Sequence, residues 1–180
     1  LREENLDLFY KNGFPNKKEE DWKFTDLNSI LSKNFDNITN KDFLLDSKKL
    51  NLINEFEHNH IYLLDGKLIS SDLTYEDRNK ISIIDFNYKN NVTIDKNNSL
   101  NLLNNALAMG GFTLEVSKNY KLNKPLIIYN YFSKNLKETI INNKNSIILN
   151  DNSELTLINY IYNKSKDNFM VNSMENIEIR

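Results

Sequence analysis

Short apolar bursts, separated by runs of Asn, Asp, Lys and Ser, fill the sequence from residue 112 to residue 179. Residues 112–116 alternate apolar and polar side chains, and residues 126–132 are mostly β-branched and aromatic, so both bursts favour strands over helices. Similar bursts follow at 139–141, 146–149, 155–162, 169–171 and 177–179. None of them is long enough for a helix, so this part of the chain is predicted to consist of strands.

The bursts recur at a spacing of 21 or 22 residues, from Ile127 to Ile148 and from Leu155 to Ile177. This spacing lies in the range expected when a chain winds repeatedly around one core. A β-sandwich also has many short strands, but its tight turns favour Asn-Gly or Asp-Gly pairs, and no Gly follows Gly111. We therefore predict the opening coils of a β-helix or related solenoid, with a β-sandwich as the alternative.

Composition limits the classes of protein to which this 180-residue chain can belong. An apolar fraction of 39% supports a hydrophobic core, and a net charge of -2 argues against a general nucleic-acid binder. No apolar run approaches the roughly 18 residues that span a bilayer, and the absence of Cys removes disulfides and thiolate ligands. We expect no nucleic-acid or membrane partner and a cytoplasmic location. Asn is abundant, which we interpret as a genomic composition bias.

Both ends of the sequence look cut, because it begins with Leu1 and stops at Arg180, one residue after an alternating strand. A solenoid usually finishes with a polar capping element. We expect further coils beyond Arg180, and self-association of a final coil that lacks its neighbour.

Two helices are predicted near the N-terminus. The first carries an apolar stripe and ends at Gly13, a residue that readily adopts the left-handed conformation of a helix C-terminus. Thr25 is the predicted N-cap of the second helix. The stripe of the first helix consists of Leu6, Phe9 and Tyr10. Trp22 is predicted to pack in the core against Leu6, Phe9 and Leu27, and the alternative is an exposed anchor for a partner protein.

Asp65-Gly66 gives the strongest hairpin signal in the chain, because this pair supplies the positive φ angles of a type I′ turn between residues 61–64 and 67–69. A strand is predicted at 81–86, and Ser99 is the predicted N-cap of a helix that Gly110-Gly111 stops. Helical spacing also predicts a short helix through Leu50, Ile53 and Phe56. We divide the chain into an N-terminal helical and hairpin region, residues 1–98, and a β-helix region, residues 99–180.

Residues with obvious chemistry are sparse in this sequence. His58 and His60, two positions apart before a strand, can point to the same side and offer two imidazoles to a metal ion. No matching third or fourth ligand accompanies them, so we interpret them as surface histidines at the junction between a helix and a strand. No catalytic, cofactor-binding or metal-binding residue is assigned, and no cofactor is expected in this chain.

Four stretches, in order along nearly the whole chain, carry a resemblance to a known family. They are residues 13–27, with a Pro, a basic pair, an acidic pair and the run Trp-Lys-Phe-Thr; residues 61–68; residues 102–108 with Gly111; and residues 153–160 with Asn172. This ordered set resembles the SufB/SufD family of iron–sulfur cluster assembly proteins. The run Trp22-Lys-Phe-Thr25 resembles the SufD branch, whereas Asn159 departs from the family pattern, in which Glu is expected.

The resemblance implies both a fold and a role. It implies a mainly β chain with an N-terminal α/β region. This region, a small helical and hairpin domain, precedes the start of a right-handed parallel β-helix. It also implies a non-catalytic, SufD-like subunit of the SufBCD complex, acting with a SufB-like subunit and a SufC-like ATPase in a bacterium or plastid. Cluster iron is usually held by Cys, so this Cys-free chain is expected to bind no cluster alone. The alternatives are a carbohydrate-active β-helix enzyme and a plain β-solenoid interaction module.

Overall fold

The computed structural model describes residues 1–36, 52–86 and 98–180. The helices in these ranges are α1 (Arg2–Asn12), α2 (Leu27–Asn34) and α3 (Ser99–Leu107), with a 3₁₀ turn at Glu20–Trp22. The strands are β1 (Asn59–Leu64), β2 (Lys67–Asp72), β3 (Ile81–Asp85), β4 (Gly110–Val116), β5 (Leu126–Phe132), β6 (Thr139–Leu149), β7 (Leu157–Asn163) and β8 (Phe169–Ile179).

The strands form two four-stranded sheets, ordered β2-β1-β5-β7 and β3-β4-β6-β8. The pairs β1–β2 and β3–β4 are antiparallel, and the other four pairs are parallel, unlike the antiparallel sheets of a β-sandwich. From β4 onward, consecutive strands alternate between the two sheets, and each strand pairs with the one two positions later. The chain therefore has a mixed α/β fold with two mostly parallel sheets, neither of which is closed.

The spacing of 21 or 22 residues between the predicted bursts is not the interval at which the chain returns to the same sheet. The interpretation of this spacing as one turn around the core is therefore wrong. The burst spacing links strands of different sheets, since Ile127 lies in β5 and Ile148 lies in β6. The interval between paired residues in one sheet is longer, because one repeat contains two strands. Examples are the pairs Thr139 and Phe169, Leu126 and Leu157, and Gly110 and Asn143.

Two pairs of predicted bursts are single long strands. The bursts at 139–141 and 146–149 both belong to β6, and those at 169–171 and 177–179 both belong to β8. The polar residues 142–145 continue β6, and two of their side chains have partners on other elements. The Lys144 ammonium donates to Asn105 Oδ1 of α3 at 2.8 Å, and Asn172 Nδ2 of β8 donates to the Asn142 amide oxygen at 2.9 Å.

A hydrophobic cluster lies between the two sheets and receives alternate side chains from their strands, as the period of a strand requires. Each of its central members is at most 2% exposed: Ile61, Leu63, Leu126 and Ile128 from one sheet, and Phe112, Leu114, Val116 and Ile147 from the other. A second cluster joins α1 to α3 and β6 through Phe9, Leu102, Leu103 and Ile140. The predicted strand at 112–116 is confirmed as part of β4.

The first helix ends as predicted, with Gly13 at a φ of 71°. Its predicted stripe is only partly correct, because Phe9 is buried whereas Tyr10 is 72% exposed. Trp22 lies in the 3₁₀ turn and remains partly exposed, outside the cluster that surrounds Phe9. The prediction that Trp22 packs in the core against this stripe is therefore wrong.

Both predicted N-caps are displaced by one residue. The α2 cap is Asp26 and not Thr25, since the Asp26 carboxylate accepts the Ser29 N–H at 2.9 Å. Similarly, α3 is capped by the Asn98 amide oxygen and not by Ser99. Asp is a stronger cap than Thr and Asn caps about as well as Ser, so in both cases the residue adjacent to the predicted cap takes its place.

The predicted hairpin is confirmed, with positive φ angles of 49° at Asp65 and 84° at Gly66. The predicted strand at 81–86 is confirmed as β3. Through β1 and β3, the region 1–98 contributes strands to both sheets, where they pair with β5 and β4 of the region 99–180. The division at residue 98 stays a prediction.

The helix predicted through Leu50, Ile53 and Phe56 is wrong where the structure describes it. Residues 52–58 form an irregular segment, in which the Ile53 N–H donates to the Tyr129 hydroxyl and not to a helical carbonyl. The remainder of that helix lies outside the described residues. The same holds for most of residues 34–46, whose irregular pattern predicts a loop, and for most of residues 87–98, whose polar composition predicts an exposed stretch.

Candidate functional site

A cleft of about 550 Å³ lies beside the start of β1, where the two predicted histidines are found. Its walls come from the irregular segment 52–58, from β1, and from the chain around the end of β2. The polar lining includes Glu55, Glu57, His58, His60, Asp72 and Thr74. Because this cleft gathers both imidazoles and several carboxylates, it is the candidate functional site.

Two hydrogen bonds fix the His58 ring. Its Nδ1 lies 3.0 Å from the Phe56 carbonyl oxygen, and its Nε2 lies 2.9 Å from the Tyr129 hydroxyl. A carbonyl oxygen only accepts, so Nδ1 carries the proton, and in the neutral ring Nε2 accepts from Tyr129. The same hydroxyl accepts the Ile53 N–H at 3.0 Å. His58 therefore fastens the irregular segment 52–58 to β5.

His60 lies in β1, opposite Asp72 of β2, with its ring centroid 6.3 Å from that of His58. Burial lowers the pKa of His60, because the imidazolium loses solvation, and the nearby His58 lowers it further. The Asp72 carboxylate acts in the opposite direction but does not reverse the shift in the pKa of His60. A neutral His60 facing the cleft can accept a hydrogen bond or bind a soft cation.

The structure brings His58 and His60 together, as their spacing indicated, but gives them no metal-binding partners among the described residues. Within residues 1–36, 52–86 and 98–180, no three His, Asp or Glu side chains are arranged to hold a metal ion. Moreover, both ring nitrogens of His58 already have hydrogen-bond partners. Among the described residues, the cleft therefore presents polar side chains of which His58 is already engaged in the fold.

Glu76 is the polar residue of this region that sequence reasoning missed. Its carboxylate accepts hydrogen bonds from Asn59 Nδ2 at 2.7 Å, from the Tyr120 hydroxyl at 2.8 Å, and from the backbone N–H groups of Asn123 and Lys124 at 3.0 Å. Burial alone would raise the pKa of Glu76, but these hydrogen bonds outweigh it and lower the pKa. Glu76 thus ties the start of β1 to the loop that precedes β5.

The stability of the protein is expected to fall as the pH falls from 7.5 to 5.5, in part because of His60. The unfolded chain takes up this proton near the ordinary pKa of 6.5, before the folded protein does, so acid favours unfolding. In the His60→Gln variant this contribution is absent, while Asp72 and His58 remain. Urea unfolding of both proteins at the two pH values measures the free energy of unfolding. Between the higher and the lower pH, this free energy should fall less in the variant than in the unaltered protein. Equal losses would show that His60 titrates normally in the folded protein.

The chain consists of mostly parallel strands stacked in two sheets, preceded by an N-terminal segment that contains helices and a hairpin. Residues 1–76 match the family model of the SufBD protein N-terminal region. The matched stretch contains α1, α2, β1 and β2, and it ends at Glu76. This match supports the SufB/SufD family of iron–sulfur cluster assembly proteins without separating SufD from SufB. No curated protein matches the chain. In the described ranges, no helix has the length and apolar character needed to cross a membrane.

Proposed function

We propose that this chain is a non-catalytic, SufD-like subunit of an iron–sulfur cluster assembly complex, acting with a SufB-like subunit and a SufC-like ATPase. The observation that carries the proposal is the match of residues 1–76 to the SufBD N-terminal region. The resemblances at 102–108 and 153–160 extend the support beyond the matched stretch. The run Trp22-Lys-Phe-Thr25 favours SufD over SufB, and a bacterial cytoplasm or a plastid is the location that goes with this role.

The two sheets are, in this proposal, the beginning of a right-handed parallel β-helix. Three features support it: the parallel pairs β4–β6, β6–β8 and β5–β7, the alternation of consecutive strands between sheets, and the similar interval between paired residues in all three pairs. Equivalent side chains of the neighbouring strands β5 and β7 also lie above one another, with ring centroids 5.4 Å apart for Tyr129 and Tyr160 and 5.3 Å apart for Tyr131 and Tyr162. Such stacking of equivalent positions is the packing of a solenoid.

A supporting rather than catalytic role agrees with how the polar groups of the cleft are used. His58 and Glu76 are engaged in hydrogen bonds that hold the irregular segment and the loop before β5 in place. The chain has no Cys to hold cluster iron, so the cluster is cargo that other subunits bind. This chain then contributes shape and contact surface to the complex.

Co-expression with the SufB-like and SufC-like proteins of the same organism tests the proposal. We expect a tagged form of this chain to retain both proteins through size-exclusion chromatography, and to replace SufD but not SufB when the complex is reconstituted. The chain alone should bind no stoichiometric iron and sulfide under anaerobic conditions. Failure to retain either protein would contradict the proposed complex, whereas replacement of SufB would move the chain to the other branch of the family.

A further inference from the structure

The irregular segment 52–58 covers part of the outer face of the sheet that contains β1 and β5. Leu52 and Ile53 of this segment pack against side chains on that face, which point away from the main core because side chains alternate along a strand. The side chains beneath them are each at most 7% exposed and consist of Tyr62, Leu64, Ile127 and Tyr129. The irregular segment therefore shields a second apolar surface from water.

Polar contacts also join the irregular segment to its neighbours. An ion pair links Glu57 to Lys124 at 2.7 Å, but both side chains are more than a third exposed, so solvent screens it. The Tyr129 hydroxyl contacts both ends of the segment, at Ile53 and His58, and belongs to a residue that is 4% exposed. This buried hydroxyl therefore fastens the segment more firmly than the ion pair does.

The hydrogen bonds of the Tyr129 hydroxyl have a fixed direction. Its oxygen accepts the Ile53 N–H at 3.0 Å, and its proton is donated to His58 Nε2 at 2.9 Å. Nε2 can accept because the Phe56 carbonyl oxygen, 3.0 Å from Nδ1, holds the ring proton on Nδ1. The arrangement thus requires a neutral His58 ring.

Protonation of His58 reverses one of these bonds. Both nitrogens of an imidazolium donate, so Nε2–H would meet the proton of the Tyr129 hydroxyl. The hydroxyl would have to turn, and its own proton would then lack an acceptor, since no described group other than His58 accepts from it. Burial raises the pKa of Tyr129, so the hydroxyl does not lose that proton instead. A buried donor without a partner is costly, and release of the segment returns the donor to water.

Charged and titratable groups surround His58 on each element that packs against it. They are Glu55 and Glu57 of the irregular segment, His60 of β1, Asp72 at the end of β2, Tyr75 in the chain that follows β2, Lys124 in the loop before β5, Tyr129 of β5 and Tyr160 of β7. The carboxylates favour an imidazolium, whereas a charged His60, with its ring centroid 6.3 Å away, opposes one. Neither effect supplies an acceptor for the Tyr129 proton.

We propose that the irregular segment is a pH-sensitive cover, docked on β5 while His58 is neutral and released when His58 is protonated. Release breaks the hydrogen bonds of Ile53 and His58 to the Tyr129 hydroxyl and uncovers the apolar surface beneath. In mildly acidic solution the protein then presents an aromatic face that is closed at neutral pH. The device belongs to the fold and does not depend on a role in cluster assembly.

Hydrogen exchange at pH 7.5 and pH 5.5 tests the release, with each rate compared with the intrinsic rate at the same pH to give a protection factor. The chain contains two His, so replacing either one leaves a single imidazole. His58→Gln removes the titrating ring, and the new amide oxygen can still accept the Tyr129 proton. His60→Gln is the matched control, since it keeps His58. Circular dichroism verifies that all three proteins are folded at both pH values.

The protection factor of residues 52–58 should fall about tenfold in the unaltered protein, the limit set by a free imidazole that passes from mostly neutral to mostly protonated. His60→Gln should keep this fall, and His58→Gln should lose it. Residues 112–116 of β4 should stay more protected than residues 52–58 at both pH values, because the segment opens while the sheets stay folded.

Nitrogen-15 spectra of His60→Gln decide the case even if His58→Gln fails to hold the segment at pH 7.5. They should show the Nδ1–H tautomer at pH 7.5, and the ring should take up its proton only as protection is lost. No fall in the unaltered protein, an undiminished fall in His58→Gln, or equal protection of residues 52–58 and 112–116 would overturn the proposal. Constant protection while His58 is protonated, or an Nε2–H tautomer at pH 7.5, would do the same.

Discussion

Replacing Gly111 by Ala is expected to lower the free energy of unfolding by more than about 4 kcal/mol, a loss that few mechanisms produce. Gly111 has a φ of 120°, a conformation that L side chains rarely adopt. A Cβ at this position would also collide with the backbone carbonyl of Lys144 in the neighbouring strand β6. Since neither backbone can move without breaking the β4–β6 ladder, the sheet that contains both strands loses its central pairing.

The matched control is Gly13→Ala. Gly13 also has a positive φ, of 71°, but a Cβ there would have no atom within 4 Å. This variant should lose about 1 to 3 kcal/mol, the cost of holding Ala in a backbone region that only Gly populates readily. Urea unfolding followed by circular dichroism measures both. Similar losses in the two variants would show that the collision with Lys144 is relieved at little cost.

Replacing Glu76 by Ala is expected to cost about 3 kcal/mol at pH 7, because hydrogen bonds to a charged group contribute about 1.5 to 3 kcal/mol each and several donors lose one acceptor. The difference in free energy of unfolding between this variant and the unaltered protein should shrink in acid. The folded-state pKa of Glu76 lies below its ordinary value of 4.5, so the stability it provides is present above that value and is lost as the pH falls through the folded pKa.

Asp151→Ala is the control for this prediction. The Asp151 carboxylate pairs with the Lys118 ammonium at 2.7 Å, but both side chains are exposed, so solvent screens the pair and we expect its loss to change the free energy of unfolding little. Urea unfolding at pH 7 and pH 3 compares the two variants with the unaltered protein. A Glu76→Ala deficit as small as that of Asp151→Ala, or one that persists unchanged at pH 3, would contradict the role given to this carboxylate.

Local signals explain the parts of the fold that the sequence predicted well. The bounds of β5 coincide with a run of β-branched and aromatic residues, and Asp65-Gly66 carries its turn geometry in its own backbone preferences. The end of α1 at Gly13 has the same origin. Each of these features depends on residues that are adjacent in the chain, so a single sequence contains the information.

The polar residues at the centre of β6 could not be recognised from the sequence as part of a strand, because the residues to which they are bonded are distant in the chain. The Asn142 amide oxygen and the Lys144 ammonium are hydrogen-bonded by Asn172 and Asn105, which lie 30 and 39 residues away. The interpretation of Asn as a composition bias is also incomplete. Side-chain amides bond across neighbouring strands and corners at 2.6 to 3.0 Å, in the pairs Asn130 and Asn159, Asn142 and Asn172, and Asn119 and Asn152.

The candidate site was predictable only in its location. A spacing of two positions indicated that His58 and His60 share a side, and their rings are indeed close. The partner that fixes His58 is Tyr129, 71 residues further along, and no local pattern points to it. Glu76 stands in a charged stretch that resembles any solvated loop, although its carboxylate joins two distant segments.

The in-register pairing of β4 with β6, β6 with β8 and β5 with β7 restricts how the length of this chain can change during evolution. A single residue inserted at the start of β6 would turn every later side chain of that strand to the opposite face, so that the Asn142 amide would face the core side and the Ile147 side chain the other side. The connections between strands carry no such alternation and accept added residues more easily. Viable length changes are therefore confined to the corners or to the addition and removal of whole two-strand repeats.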